Sequence, residues 1–103
     1  MKTIQKFTVP YGTDSLVHIP HGWAPLHVGI YQIWPDRQGD PCLWVLADAH
    51  PEAEQEEVSL SIFSGTGEEV PDGLRHLGSV IDSECEVWHV FFRPSLETQP
   101  ISK

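Results

Sequence analysis

The residues with the clearest potential to bind a ligand are Gly65-Thr66-Gly67, which follow a strand-like stretch. From Val58 to Ser64, side chains of opposite character alternate with a period of two, as expected for a strand with one buried face. A glycine on each side of Thr66 permits positive φ and leaves no side chain to block a ligand. Successive N–H groups in such a turn can converge on an anion such as phosphate. The same residues also fit a tight turn that only ends the strand, because no Walker or dinucleotide-binding motif surrounds them.

Two more distant residues could complete an anion site. Arg75 is the nearest cation in sequence and the natural counter-charge for an anion at the Gly-Thr-Gly turn. His89 lies within the apolar stretch 87–92, where a histidine is more often a hydrogen-bonded core or interface residue. It can contact a ligand only if the adjacent face of the sheet is open.

The four tryptophans divide into two pairs by position. Trp44 and Trp88 lie in apolar stretches and are predicted to be in the core. Trp23 and Trp34 lie at strand ends, where a large ring is harder to bury. Such a ring could stack on a nucleobase or form a subunit contact.

Metal binding and catalysis have less support in the sequence. Three of the six histidines, His18, His21 and His27, are close in sequence, but the proline and glycine between them break any regular ligand spacing. We therefore predict no metal site and no cofactor. No serine elbow, zinc-protease motif or paired carboxylates occur, and Asp48 and Asp72 at loop mouths are typical of turn caps. The sequence favours a protein that is not an enzyme.

The net charge of −9, from 6 basic and 15 acidic side chains, excludes a basic groove for DNA or RNA. A small anionic ligand remains compatible, because a few N–H groups can form a local positive pocket. The acidic stretch 48–57 is predicted to be a solvated loop. With no apolar membrane span and no export signal, we predict a cytoplasmic protein in which Cys42 and Cys85 are buried, reduced thiols.

The alternation of side chains predicts a single all-β domain over residues 1–94, built as an antiparallel sandwich or a partly closed barrel of about seven strands. The unbroken apolar stretches 42–47 and 86–92 should form central strands, and the serines of the Val58 strand suggest an edge strand. Residues 95–103 are predicted to be a flexible tail. The predicted strands cover residues 4–9, 15–19, 24–34, 42–47, 58–64, 77–81 and 85–93.

Taken together, five motifs resemble a family of small, mostly uncharacterised phage and bacterial proteins. They lie at 42–48, 62–67, 70–72, 77–80 and 87–91, in order over nearly the whole chain. Gly-Thr-Gly and Val-Trp-His-Val-Phe are the most specific of them. The chain departs from the pattern at Glu68, where a histidine is common, and at 82–84, where the family has a glycine-rich turn. An acid beside the turn weakens the case for phosphate binding there.

This family resembles, or adjoins, the phage anti-CBASS sponge proteins, which are non-enzymatic homo-oligomers that sequester cyclic-dinucleotide immune signals. The resemblance implies that Gly65-Thr66-Gly67 meets a phosphodiester and that aromatic or histidine side chains surround the bases. The ligand-contacting residues expected on this basis, with Arg75 added for its charge, are Phe63, Ser64, Gly65, Thr66, Gly67, Arg75, Trp88 and His89.

The first functional hypothesis is therefore a phage-encoded homo-oligomer, a dimer or tetramer, that sequesters a nucleotide-type ligand in the host cytosol. The alternative is a protein–protein adaptor or a phage structural accessory protein, with the loop 65–75 as a contact loop. A hydrolase acting on the same nucleotide ligand is the third possibility.

Overall fold

Two antiparallel sheets of three and four strands make up the fold. The computed structural model describes residues 1–32 and 39–94, and within these ranges it contains strands, turns and bends but no helix. The predicted tail 95–103 and Trp34 lie outside the described residues. The strands are β1 Lys2–Thr8, β2 Ser15–Pro20, β3 Ala24–Tyr31, β4 Asp40–Asp48, β5 Gln55–Ser64, β6 Arg75–Ile81 and β7 Val87–Arg93.

The two sheets face each other as an open sandwich, which confirms the predicted all-β class. The strand orders are β1-β4-β3 and β2-β5-β7-β6. Side chains such as Leu43, Leu60 and Val90, none of them solvent-accessible, fill the space between the sheets. Strand β3 approaches β6 closely because Gly78 has no side chain: a Cβ there would lie 2.9 Å from Val28 Cβ.

The apolar stretches 42–47 and 86–92 do form inner strands, as predicted, since β4 and β7 each have a neighbour on both sides. Strand β4 is nevertheless covered on one face only. Leu43 and Val45 face the core, whereas Trp44 lies half-buried on the outer face beside His27 and Tyr31. The prediction that Trp44 is a core residue was wrong, because no strand of residues 1–32 and 39–94 packs on the outer face of the three-stranded sheet. Trp88 does pack against the core.

The prediction of an edge position for the Val58 strand was also wrong, because β5 lies between β2 and β7. The serines of β5 are explained instead by hydrogen bonds to the loop between β1 and β2. Ser61 Oγ accepts a hydrogen bond from Asp14 N–H at 2.8 Å, and Ser59 Oγ donates one to Asp14 Oδ1 at 2.8 Å. The serines therefore fasten the loop after β1 to the sheet.

Two boundaries differ from the sequence prediction in ways that affect function. Strand β5 begins at Gln55 and not at Val58, so Glu56 and Glu57 belong to a strand and pair in register with Ile19 and His18. Both cysteines are free, but only Cys42 is buried. Cys85 was predicted to be buried and is exposed, because it lies in the turn before β7 with φ of 65°.

The connection between β5 and β6 determines where the Gly-Thr-Gly turn lies. Both strands pair antiparallel with β7, so they run parallel to each other and residues 65–74 must pass β7 to join them. We call residues 65–74 the crossover loop. Because the other sheet covers the core face, this loop lies against the outer face of the four-stranded sheet.

Candidate functional site

The Gly-Thr-Gly turn has the backbone conformation that its sequence predicts. Gly65 has φ of 63° and Gly67 has φ of 87°, both in the left-handed region that glycine adopts without strain. The Gly65 N–H donates to Val87 O at 2.8 Å and is not available to a ligand. Within the described ranges, no hydrogen bond from the N–H of Thr66 or Gly67 is seen. The turn therefore offers two backbone donors rather than three.

A cavity of about 140 Å³ lies between the crossover loop and the outer face of β5 and β7. We call it the loop cavity. Its lining residues are Phe63, Ser64, Gly65, Gly67, Glu68, Val70, His89 and Phe91. Five of the eight expected ligand-contacting residues are among them. Thr66 is exposed at the tip of the turn and does not line the cavity.

Two of the expected residues lie elsewhere, for reasons of topology. Arg75 pairs with Phe92, whereas Gly65 bonds to Val87, and five residues of extended β7 separate these points by about 17 Å. Arg75 directly follows the crossover loop that begins at Gly65, but the two residues lie at opposite ends of the sheet. Trp88 precedes His89 on β7 and so points to the opposite face, where it packs against the core.

A chain of hydrogen bonds fixes the histidine of the loop cavity. His89 Nε2 lies 2.8 Å from Gly65 O, and since a carbonyl oxygen only accepts, Nε2 carries a proton. In neutral His89, Nδ1 then accepts from Ser79 Oγ at 2.7 Å, and Ser79 Oγ accepts from His76 Nε2 at 2.9 Å. The ring is therefore held against the turn, and two protonatable rings lie on this face.

Charge within the loop cavity is sparse. Of the lining residues that the structure describes, Glu68 is the only carboxylate, and none is a lysine or arginine. An anion here would be held by backbone N–H groups and histidine, against the field of a protein with net charge −9. Aromatic surface is more abundant: Phe63 and Phe91 meet edge to face at 5.6 Å. The alternation of β7 places Phe91 on the face of His89, so the sequence already contained the signal for this residue.

A second cavity, of about 250 Å³, was not anticipated from the sequence. We call it the end cavity, because it opens between the sheets where β2 turns into β3, close to the end of β7. Phe92 packs edge to face on Trp23 at 5.5 Å. Glu56 accepts hydrogen bonds from Trp23 Nε1 at 2.9 Å and from His21 Nδ1 at 2.8 Å. Register pairing of β2 with β5 creates this cluster, which sequence spacing could not indicate.

The outer face of the three-stranded sheet is a third notable surface. Trp44 contacts Tyr31 and His27 there, and Lys6 Nζ lies 3.4 Å from the centre of the Tyr31 ring. Ile4, at 67% exposure, extends this apolar area. Such a face suits contact with another protein.

In residues 1–32 and 39–94, no three histidine, cysteine or acidic side chains are arranged to hold a metal ion. The same residues contain no helix with the length and apolar character that crossing a membrane requires.

A family model described as a domain of unknown function (DUF7352) matches residues 1–100. No curated protein and no solved structure matches the chain.

Proposed function

The chain belongs to the DUF7352 family, whose function is unknown, and we propose that it is a non-enzymatic binding module for a nucleotide-type ligand, held in the loop cavity. Cyclic dinucleotides are the favoured class. The observation that carries this proposal is the convergence of a glycine turn, a fixed histidine and two phenylalanines on one cavity.

Each part of the cavity suits part of a nucleotide. Phe63, Phe91 and His89 provide ring surface for a base, and stacking on an aromatic side chain contributes about 1–3 kcal/mol per base. The N–H groups of Gly67, in the lining, and of Thr66, beside it in the turn, can donate to a phosphate oxygen. A Cβ at Gly65 or Gly67 would meet nothing within 4 Å, so the backbone of the turn is open to approach.

The size of the cavity supports a shared ligand. At about 140 Å³ it is smaller than the roughly 300–1,000 Å³ typical of sites for drug-sized ligands, and it accommodates one base or one phosphate. A cyclic dinucleotide has two of each, so two copies of the chain would hold one ligand. We propose a homo-oligomer, a dimer or tetramer, acting in the host cytosol if the protein is phage-encoded. The unpaired thiols of Cys42 and Cys85 are compatible with that compartment.

A protein–protein adaptor is the second candidate, and the outer face of the three-stranded sheet favours it. Trp44 and Tyr31 form an aromatic patch there, extended by the exposed Ile4. The same face could join copies of the chain. Light scattering that returns 11.6 kDa at high concentration would remove the oligomer and with it the shared ligand.

A retention assay separates these functions. The protein is incubated with a panel of cyclic dinucleotides, freed of unbound ligand by gel filtration, heated to denaturation, and the released material is identified by mass spectrometry. Intact ligand supports sequestration, and absence of ligand contradicts it and leaves the adaptor.

Cleaved ligand would instead indicate a hydrolase. Ser79 Oγ donates to His89 Nδ1, as a serine nucleophile does to its base, so turnover must be measured directly. The matched variant is Ser79→Ala, which removes the hydroxyl. If the protein is a binding module, Ser79→Ala still releases intact ligand, and product does not accumulate with time in either protein.

A further inference from the structure

The end cavity has the opposite chemistry to the loop cavity. Its apolar walls are the Trp23 ring, Phe92 and Val58, and the carboxylate of Glu56 is a polar group of the lining that hydrogen bonds hold in place. Pockets with apolar walls and a few oriented polar groups are where small ligands bind. The question is which ligand chemistry that carboxylate selects.

The Glu56 carboxylate is oriented but not saturated. His21 Nδ1 donates to Oε1 and Trp23 Nε1 donates to Oε2, one hydrogen bond to each oxygen. An ionised carboxylate has about four acceptor positions, so each oxygen can accept another donor. The side chain retains 23% of its exposure, which leaves it reachable yet partly shielded from water. A new donor would meet a carboxylate that needs no reorganisation.

The other charged groups around the cavity also favour a cation. Among the described residues that line the cavity, Arg93 is the only fixed positive charge, and its Nε already donates to Asp14 Oδ1 at 3.2 Å. Glu57 adds a second negative charge at the rim, and the net charge of −9 attracts cations over a longer range. The face of Trp23 can stabilise an adjacent cation further.

We propose that the end cavity binds an organic cation, namely a primary ammonium or amidinium group on an aromatic or aliphatic body about one ring in size. The cationic group donates to Glu56, and the apolar body rests against Trp23 and Phe92. This site lies on the inter-sheet face of β7, opposite the loop cavity, and does not depend on the nucleotide proposal.

Benzylamine is a suitable probe, because its ring fits the apolar wall and its ammonium group fits Glu56. Calorimetric titration gives its affinity, and the chemical shift of the Trp23 indole N–H, assigned with Trp23→Phe, reports on the site. Benzyl alcohol is the neutral control of the same shape. We expect benzylamine to bind saturably and benzyl alcohol to bind roughly tenfold to a hundredfold more weakly, the ratio for a charge-assisted hydrogen bond.

Glu56→Gln and Glu57→Gln form a matched pair, since each removes one negative charge from adjacent positions. Glu57 is paired with His18 at 3.5 Å and its side chain is 62% exposed. Glu56→Gln should weaken benzylamine binding about tenfold or more, and Glu57→Gln about twofold or less. Equal loss in both variants, equal affinity for amine and alcohol, or no saturable binding would each overturn the proposal.

Discussion

Two tryptophans at opposite ends of the inter-sheet space each donate an indole hydrogen bond to a carboxylate. Trp23 donates to Glu56 at 2.9 Å and Trp88 donates to Asp82 at 3.0 Å. Each indole also meets a second aromatic ring edge to face, at 5.5 Å for Trp23 and 5.2 Å for Trp88. The local chemistry is the same, yet the surroundings of the two carboxylates differ.

Asp82 is closed off by backbone. Its Oδ1 accepts from the N–H groups of Glu84 and Glu86, and the residue is 8% exposed. Glu56 receives only side-chain donors and opens onto a cavity. The difference teaches that an indole–carboxylate pair can receive a ligand only where the carboxylate retains acceptor capacity and space. By this criterion Asp82 is structural and Glu56 is available to a ligand.

The largest expected effect on stability comes from a substitution that disrupts the Trp88–Asp82 pair. Asp82→Asn replaces one acceptor oxygen with an N–H donor, so either the Trp88 indole N–H or the backbone N–H groups of Glu84 and Glu86 lose their acceptor. We expect a loss of about 2–3 kcal/mol in the free energy of unfolding, measured by urea denaturation. A donor that loses a charged acceptor inside the protein is no longer compensated for its lost hydration. Glu56→Gln should cost less than about 1 kcal/mol. Equal losses would show that the two carboxylates have the same structural role.

A second comparison separates backbone strain from ligand contact. Gly67, in the loop cavity, and Gly22, in the end cavity, have φ of 87° and 82°, and a Cβ at either meets nothing within 4 Å. Valine at each position should therefore destabilise the fold by a similar amount, about 1–2 kcal/mol. In the retention assay, only Gly67→Val should lose the nucleotide. If both variants retain it equally, the ligand is not bound at the Gly-Thr-Gly turn.

A substitution at Glu68 is expected to strengthen ligand binding rather than weaken it. Glu68→His removes the carboxylate from the loop cavity and should strengthen retention of an anionic ligand, by about 1 kcal/mol or less at an exposed position. Glu69→Gln is the control for net charge, since Glu69 is adjacent but does not line the loop cavity. Weaker binding by Glu68→His than by the control would mean that the ligand is not an anion held at this position.

The smallest effect concerns a third carboxylate, Asp14, at the surface. Hydrogen bonds from Ser59 and then Arg93 lower the pKa of Asp14 below its ordinary value of 3.8. The stabilisation is therefore complete above that value and is lost as the pH falls through the lowered folded value. The difference in thermal midpoint between wild type and Asp14→Asn should shrink as the buffer is lowered from about pH 6 to about pH 3. A difference that stays constant with pH would contradict this role.

Local pattern was sufficient to predict seven strands, the inner positions of β4 and β7, and glycine residues suited to positive φ. The same pattern gave wrong predictions where the position or role of a side chain depends on residues far away in the sequence. The serines of β5 suggested an exposed edge, but they bind Asp14, about 45 residues earlier in the chain. Arg75 is close to the turn in sequence, but the crossover places it at the other end of β7.

The end cavity was beyond prediction for the same reason. Glu56 lies 33 residues from Trp23 and 35 from His21, and only the register of β2 on β5 brings them together. In the sequence, Glu56 is one of several glutamates in an acidic stretch. Nothing in its neighbours distinguishes a strand position that faces the core from a solvated loop.

Amide spectra of the labelled protein test the central claim most directly, with saturating cyclic dinucleotide as the probe. The N–H groups of Thr66 and Gly67 would each gain an acceptor, whereas that of Gly65 already donates to Val87. We predict that Thr66 and Gly67 move downfield, that His89 ring signals shift, and that Gly65 changes less. Shifts confined to the outer face of the three-stranded sheet, or no shifts at all, would contradict the proposal that this protein binds a nucleotide at the Gly-Thr-Gly turn.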